Sequence, residues 1–351
     1  MKKELAPYLE YGIERIVELC GIPSPTGYTR KIEERVSAIL TGLGFVPEYS
    51  VKRSVRCRLG GSGSPLVLAA HLDTLGAMVR SIKPNGRLRV AKIGGYPENY
   101  IENENCAVHT RSGREYTGRF LLDKPAVHVN KDVGSAKRDD STIELVLDEN
   151  VRKVDEVKAL GINPGDFVSF DPRTIVTPTG YIKSRHLDDK ASSALLLALA
   201  KYLREQEPAL GREVWLLFTN YEEVGHGGAA GLPEHTAEML SVDMGAIGDD
   251  LGTDEHCVSI CAKDSKGPYD HRITGRLADL AEELKLRYAV DIYPFYGSDT
   301  GAALSAGWDI RHGLVGPGIQ ASHGYERAHR DGLGNTLALL AAYIELAPEG
   351  V

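Results

Sequence analysis

No stretch of this chain is apolar for long enough to cross a bilayer: the most apolar helical run, Ala194 to Ala200, falls far short of the roughly 20 residues a spanning helix needs. Positive charge is also short. Lys and Arg number 41 against 49 Asp and Glu, the net charge is -8, and no Lys/Arg run reverses that locally. A nucleic-acid-binding surface is therefore not expected, and small molecules or short peptides are the expected partners. Cysteine is sparse and unpaired. Cys20, Cys57, Cys106, Cys257 and Cys261 are odd in number and lack CxxC spacing, so they read as buried thiols, the Cys257/Cys261 pair included. The start MKKELAPYLEYG carries two lysines with no apolar stretch behind them, so it does not read as a secretory leader and the cytoplasm is the expected location. Internal repeats and low-complexity segments are missing too.

What remains is an ordinary globular composition, 42% hydrophobic and 26% charged over 351 residues, which suits about two domains. Helical spacing of apolar residues runs from Leu5 to Leu19 and resumes from Thr29 to Leu43 after the break GIPSPTG. PLVLAA (Pro65 to Ala70) and VWLLFT (Val214 to Thr219) are short, wholly apolar runs of the kind buried strands have. An Ala/Leu-rich helix is expected from Asp189 to Leu203 and another from Gly275 to Leu286. Strands alternating with helices imply an α/β sheet. From about Val79 to Phe170 the rhythm changes to short strand-like pieces, RLRVAKIGG, AVHT, GREYTGRF, AVHVN, TIELVL and INPGDFVSF, with helical signal only from Arg152 to Leu160. That pattern predicts a β-rich domain inserted between two strands of the α/β domain.

Five places set metal-ligating residue types at a strand end or in the loop after it: His71 and Asp73 (AAHLDT), Asp188 and Asp189 (SRHLDDK), Glu222 and Glu223 (NYEEVG), Asp243 (SVDMG) and His323 (QASHGYERAH). Each alone has a plain structural reading, such as a surface pair, a helix N-cap or a solvated loop. Functional groups of open α/β sheets gather beyond the carboxyl ends of the strands, so the five could converge. Imidazole and carboxylate are the donors that zinc and similar ions use in hydrolytic sites. Three carboxylates and two neutral imidazoles around two divalent ions leave one positive charge, which a hydroxide cancels. Neighbouring residues of an extended backbone point to opposite sides, so one glutamate of the Glu222/Glu223 pair can face the metals while the other stands free as a base.

At these residues the sequence resembles the co-catalytic zinc aminopeptidases of the glutamyl aminopeptidase and tetrahedral aminopeptidase family. The likeness runs in order through GIPSPTGYTRKIEERV, HLDT, IGG, ALGINPGDFVSF, LDDK, YEEVG, DMG, GSDTGA and the late His323. The resemblance implies a mixed-sheet α/β di-zinc exopeptidase fold, residues 1–76 and 176–351, with an inserted PDZ-like β-barrel, residues 77–175, used in assembly. It also implies two divalent ions per subunit, zinc first and cobalt or manganese admissible. Asp188 would bridge the two, His71 and Asp243 would complete one shell, and Glu223 and His323 the other. Glu222 matches the general base, which takes the proton of a metal-bridged water, and Asp73 matches the carboxylate that orients His71. A tetrahedral dodecamer is the assembly so implied.

Thr74, Lys190, His226 and Gly227 depart from the family's usual residues beside the site, so substrate preference does not carry over. The SHGYERAH ending is closer to a bacterial branch associated with making the osmolyte N-acetylglutaminylglutamine amide, and His226 and His329 are candidates for such specificity. Three readings stand: an aminopeptidase acting on short peptides, a di-zinc deacylase or carboxypeptidase acting on N-acylated compounds including such an osmolyte, and a non-catalytic assembly protein. The last leaves Glu222 without a chemical purpose.

Overall fold

The computed structural model describes residues 3–347; the first two and last four residues of the expected α/β domain lie outside the described residues. A nine-stranded mixed sheet forms the larger layer, in the order Pro47–Tyr49, Val55–Gly60, Glu213–Thr219, Pro65–His71, Glu238–Val242, Arg311–Ile319, Val258–Lys263, Tyr288–Ile292, with Gly245–Ala246 paired to Arg311–Ile319. Its four central strands are mutually parallel, with Thr219 level with His71 and Val242 level with Val315. The apolar runs become these central strands because both faces are covered; all seven residues of Pro65–His71 are buried.

One covering element is the helix Leu187–Gln206, buried on all sides from Leu187 to Ala200. Its Ala/Leu composition allows close approach to the helix Ala6–Cys20, where a side chain on Gly12 would touch Ala198 Cβ at 3.4 Å. Each fully buried leucine of this helix contributes about 1.5–3 kcal/mol relative to exposure. Helices Arg30–Gly42 and His271–Glu283 fall where periodicity placed them, to within a few residues.

Between the neighbouring strands Pro65–His71 and Glu213–Thr219 the chain leaves to build a closed six-stranded antiparallel barrel from Gly76–Ile82, Leu88–Ile93, Asn105–His109, Glu115–Leu122, Ile143–Leu147 and Phe167–Phe170. Phe120, Val108, Leu145 and Val168 fill its own core. Tight turns at Asn85–Gly86 and Ser112–Gly113 close two of its hairpins, with φ of 82° at each glycine. One expected strand is not there. AVHVN (126–130) lies in turns, and Val127 and Val129 are 64% and 88% exposed. The two strands on either side already pair with each other, and Asp123 N–H donates to the Thr142 carbonyl across the gap. The intervening residues form an outgrowth from a closed barrel that offers them no free edge to join. A second small sheet, Ile175–Val176, Tyr181–Ser184 and Glu326–His329, lies where the chain returns from the barrel.

The cysteines are all reduced and buried, and burial pushes the Cys257 and Cys261 thiols up to about 11 and about 12. Among the described residues no helix is long and apolar enough to cross a membrane.

Candidate metal centre

The parallel strands deliver the candidate ligands to one end of the sheet. His71 ends its strand, Asp243 directly follows Glu238–Val242, Glu222 follows Glu213–Thr219 after two residues, and His323 lies in the loop after Arg311–Ile319. Asp188 comes instead from the start of the helix Leu187–Gln206, where it and Asp189 have non-helical backbone angles and neither caps the helix.

Asp188 is at the middle of the cluster. Its Oδ1 is 3.1 Å from His71 Nε2, and its Oδ2 is 3.5 Å from His323 Nε2 and accepts from Ser322 at 3.0 Å. Glu223 Oε2 is 3.6 Å from His323 Nε2, and Glu222 Oε2 is 3.9 Å from His71 Nε2. Ligating atoms of His71, Asp188 and Glu223 form one close group, and those of His71, Asp189 and Asp243 a second, each with all atoms within 4.8 Å.

Main-chain carbonyls set both rings. His71 Nδ1–H donates to the Asp73 carbonyl at 2.9 Å, and His323 Nδ1–H donates to the carbonyl of Gly95, which the barrel supplies. Each ring therefore turns Nε2 toward the carboxylates, the arrangement that fixes metal-ligating histidines. The IGG motif has its reason here: Gly94 has φ 80°, and a Cβ on it would lie 2.4 Å from Leu75 Cδ2.

The Asp73 carboxylate, expected to orient His71, is 3.8 Å from Nδ1. Its shorter contacts hold the next turn: Oδ1 and Oδ2 accept from the N–H groups of Glu222 (3.1 Å) and Glu223 (3.3 Å), and Oδ2 accepts from Thr26 Oγ1 at 2.6 Å. Glu222–Val224 is a 3₁₀ turn entered through Tyr221 at φ 66°, not the extended backbone expected of this pair, yet the two carboxylates still reach different imidazoles.

Sequence reasoning passed over two further carboxylates. Glu326 accepts from the N–H groups of Asp188 (3.2 Å) and His323 (3.1 Å), tying the two segments together. Asp299, in GSDTGA, accepts from Thr219 Oγ1 at 2.7 Å. Lys190, which is fully buried, donates to the Ile22 carbonyl at 2.7 Å and so anchors GIPSPTG beneath the site. His226 and His329 do not line the cavity above the cluster.

The electrostatics of the cluster call for cations. Burial raises Glu222 and Asp189 well above the usual carboxylate range, Glu223 to about 8 and Asp243 to about 7, each with a further push from neighbouring carboxylates. Burial also opposes protonation of His323, but Asp188 outweighs it and holds that ring at about 10. Asp188 is the exception among the acids: burial would raise it, and the two imidazoles hold it well below its ordinary value. Among the described residues no Lys or Arg pairs with Asp188, Glu222, Glu223 or Asp243, and buried Asp189 Oδ1 has no partner. Buried carboxylates in excess of nearby positive charge, interleaved with imidazole nitrogens, suit divalent ions.

A pH prediction follows from Glu223 and Asp243. Their folded-state pKa values are raised, so without metal their contribution favours folding fully below about pH 4 and is lost as pH rises through about 7 to 8. Chelator-treated protein is expected to melt at progressively lower temperature from pH 5 to pH 8.5 (roughly the range these values span). Zinc-supplied protein is expected to show a much shallower decline. Scanning calorimetry of both forms checks this, and parallel slopes would count against it.

Above the cluster opens a cavity of about 1100 Å³, walled by Tyr100 of the barrel on one side and by Phe295 and Tyr296 on another. The profile of the M42 glutamyl aminopeptidase family matches residues 54–339. The YhfE protein of Bacillus subtilis (strain 168) is 47% identical over 342 residues, covering 95% of this chain and 97% of its own. Among solved structures, the aminopeptidase APDkam598 of Desulfurococcus kamchatkensis superposes with a TM-score of 0.84 at 22% identity, over 96% of this chain and 95% of that one. The TET1 peptidase of Pyrococcus horikoshii, which assembles into a tetrahedron or a large octahedral shell, gives 0.83 at 22% identity over 95% and 99%. At that identity the two structures speak for the fold alone.

Proposed function

The chain belongs to the M42 glutamyl aminopeptidase family, and on that premise we propose that it removes the N-terminal residue of short peptides, with His71, Asp188, Glu223, Asp243 and His323 holding two divalent ions. The observation that carries this reading is the Asp188 carboxylate, whose two oxygens face two different imidazoles. Asp188 would serve both ions, with His71 and Asp243 completing one set of donors and Glu223 and His323 the other. When bound, the ions supply Lewis acidity toward a carbonyl oxygen and lower the pKa of a water, with zinc first and cobalt or manganese also suited to these donors.

The chain's own residues supply the rest. Glu222 is the general base: among the described residues its carboxylate makes no hydrogen bond, it lies 3.9 Å from His71 Nε2, and burial raises its affinity for a proton. It accepts the proton of the attacking water and delivers it to the leaving amine. Asp73 holds the turn that aims Glu222 and Glu223. Carboxylates near the ions attract the substrate's free ammonium, which favours removal of end residues over internal cleavage. The barrel, residues 77–175, is both a wall of the cavity through Tyr100 and the domain through which copies of the chain associate, as a tetrahedral dodecamer in its fullest form.

Hydrolysis of free dipeptides and aminoacyl amides, each beside its N-acetylated counterpart, tests the reading with protein of known metal content. Cleavage confined to substrates with a free amine is expected. Equal or faster cleavage of the blocked compounds would transfer the assignment to a deacylase, the osmolyte-related hydrolase included.

A further inference from the structure

Beyond the metal centre a second group of ligating side chains converges: one atom each of His256, His329 and Asp331 lie within 4.8 Å of one another. We propose that these three residues form a separate site for one divalent transition ion of the zinc type, at the junction of the small sheet with the helix Arg330–Tyr343.

The geometry comes from one oxygen. Asp331 Oδ2 is 3.2 Å from His256 Nδ1 and 3.3 Å from His329 Nδ1. Donors held about 2.0–2.2 Å from a tetrahedral zinc ion stand about 3.3–3.6 Å from each other, and the observed separations fall at the lower edge of that range. Direct charge-assisted N–H to carboxylate bonds are shorter, about 2.7–2.9 Å.

The tautomer of His329 strengthens the case. Its Nε2 is 3.0 Å from the Thr179 carbonyl, which only accepts, so Nε2 carries the hydrogen. In the neutral ring Nδ1 is then a lone pair, consistent with its accepting the Asp331 N–H at 3.1 Å. The same lone pair faces the Asp331 carboxylate, an unfavourable opposition that a shared cation removes. The displaced N–H sits beside a side chain that is 59% exposed and so has water at hand.

Both rings are built into position. A ring N–H given to a carbonyl is the usual support of a metal-ligating histidine, and His329 has it. Gly180, with φ 92°, makes this possible, since a Cβ there would lie 2.9 Å from His329 Nε2. His256 Nε2 faces Tyr181 Oη at 3.4 Å, and its main chain is pinned by Asn335 Nδ2 at 2.9 Å and Asp254 Oδ1 at 2.9 Å. The nearby Arg287 and Arg330 are paired with Asp254 and Glu10, leaving Asp331 to the imidazoles. Two imidazoles and one carboxylate favour zinc, nickel or copper(II) over magnesium or calcium.

The site has a route to the catalytic centre. His329 ends the strand Glu326–His329, whose first residue ties Asp188 to His323. An ion at His329 stiffens the strand that carries Glu326.

The test uses untagged full-length protein and zinc as the probe. Zinc per subunit is counted after equilibration at micromolar free zinc, in the wild type, His256→Gln and Asp331→Asn. Both variants are expected to hold one zinc fewer than the wild type, with unchanged circular dichroism. Because the result is a difference, it does not depend on how many ions the catalytic centre holds. In an Asp188→Ala background, zinc is expected to raise the melting temperature, and His256→Gln is expected to abolish that shift. Equal zinc content in all three proteins, or a deficit in only one variant, would overturn the three-ligand site.

Discussion

Glu222→Gln is expected to lower kcat for peptide hydrolysis by roughly 10²–10⁴-fold, the usual contribution of a positioned acid–base group, with metal content and melting temperature unchanged. The substitution keeps shape and volume and removes the negative charge, and with it the capacity to take a proton. Little else depends on the carboxylate: it lies 3.9 Å from the His71 imidazole, and the contact that fixes the turn is the Glu222 main-chain N–H to Asp73, which the amide retains. Steady-state kinetics beside metal analysis separates the cases. A kcat within about threefold of wild type is far below the contribution of a base and would remove Glu222 from that role. Lost metal would recast Glu222 as a ligand.

Asp188→Ala is expected to empty the centre of both ions together and to reduce hydrolysis to the assay background. The reason is connectivity. Asp188 is the residue whose two oxygens approach both His71 and His323, so its loss takes a donor from each half of the cluster at once. Mutation of a residue serving one ion, such as Asp243, should leave partial occupancy. Elemental analysis after gel filtration reads this directly: two ions retained by the Asp188 variant would refute the bridging role, and one would show that its oxygens serve a single position.

How much of this was readable beforehand depended on the kind of information involved. The central strands were legible because burial on both faces demands unbroken apolar runs, and PLVLAA and VWLLFT are such runs. The candidate ligands were legible because parallel strands bring their carboxyl ends to one edge, so residues just after those runs were placed together by topology. AVHVN misled because β-propensity does not say whether a sheet edge is free, and here the flanking strands had already closed on each other. Glu326 and Asp299 were passed over for a similar reason. Each acts through main-chain or hydroxyl partners distant in sequence, Asp188 for Glu326 and Thr219 for Asp299, and nothing in the local pattern marks such a carboxylate as buried. The Glu222/Glu223 pair came out as divergent by a different device from the expected one, a left-handed Tyr221 leading into a 3₁₀ turn.

The bond from His323 to the Gly95 carbonyl bears on how freely the two structural units can be exchanged between relatives. At this contact the barrel could change its side chains without disturbing His323, because what it lends there is a main-chain oxygen, whereas Tyr100, Glu104 and Phe170 meet the other unit through their side chains. Swapping the barrel wholesale is another matter. A grafted replacement must return a carbonyl to the same point in space, or the imidazole of His323 loses the partner that selects its tautomer. At Gly95 the boundary is thus permissive toward sequence and strict toward backbone path, and a chimera that folds well can still be inactive.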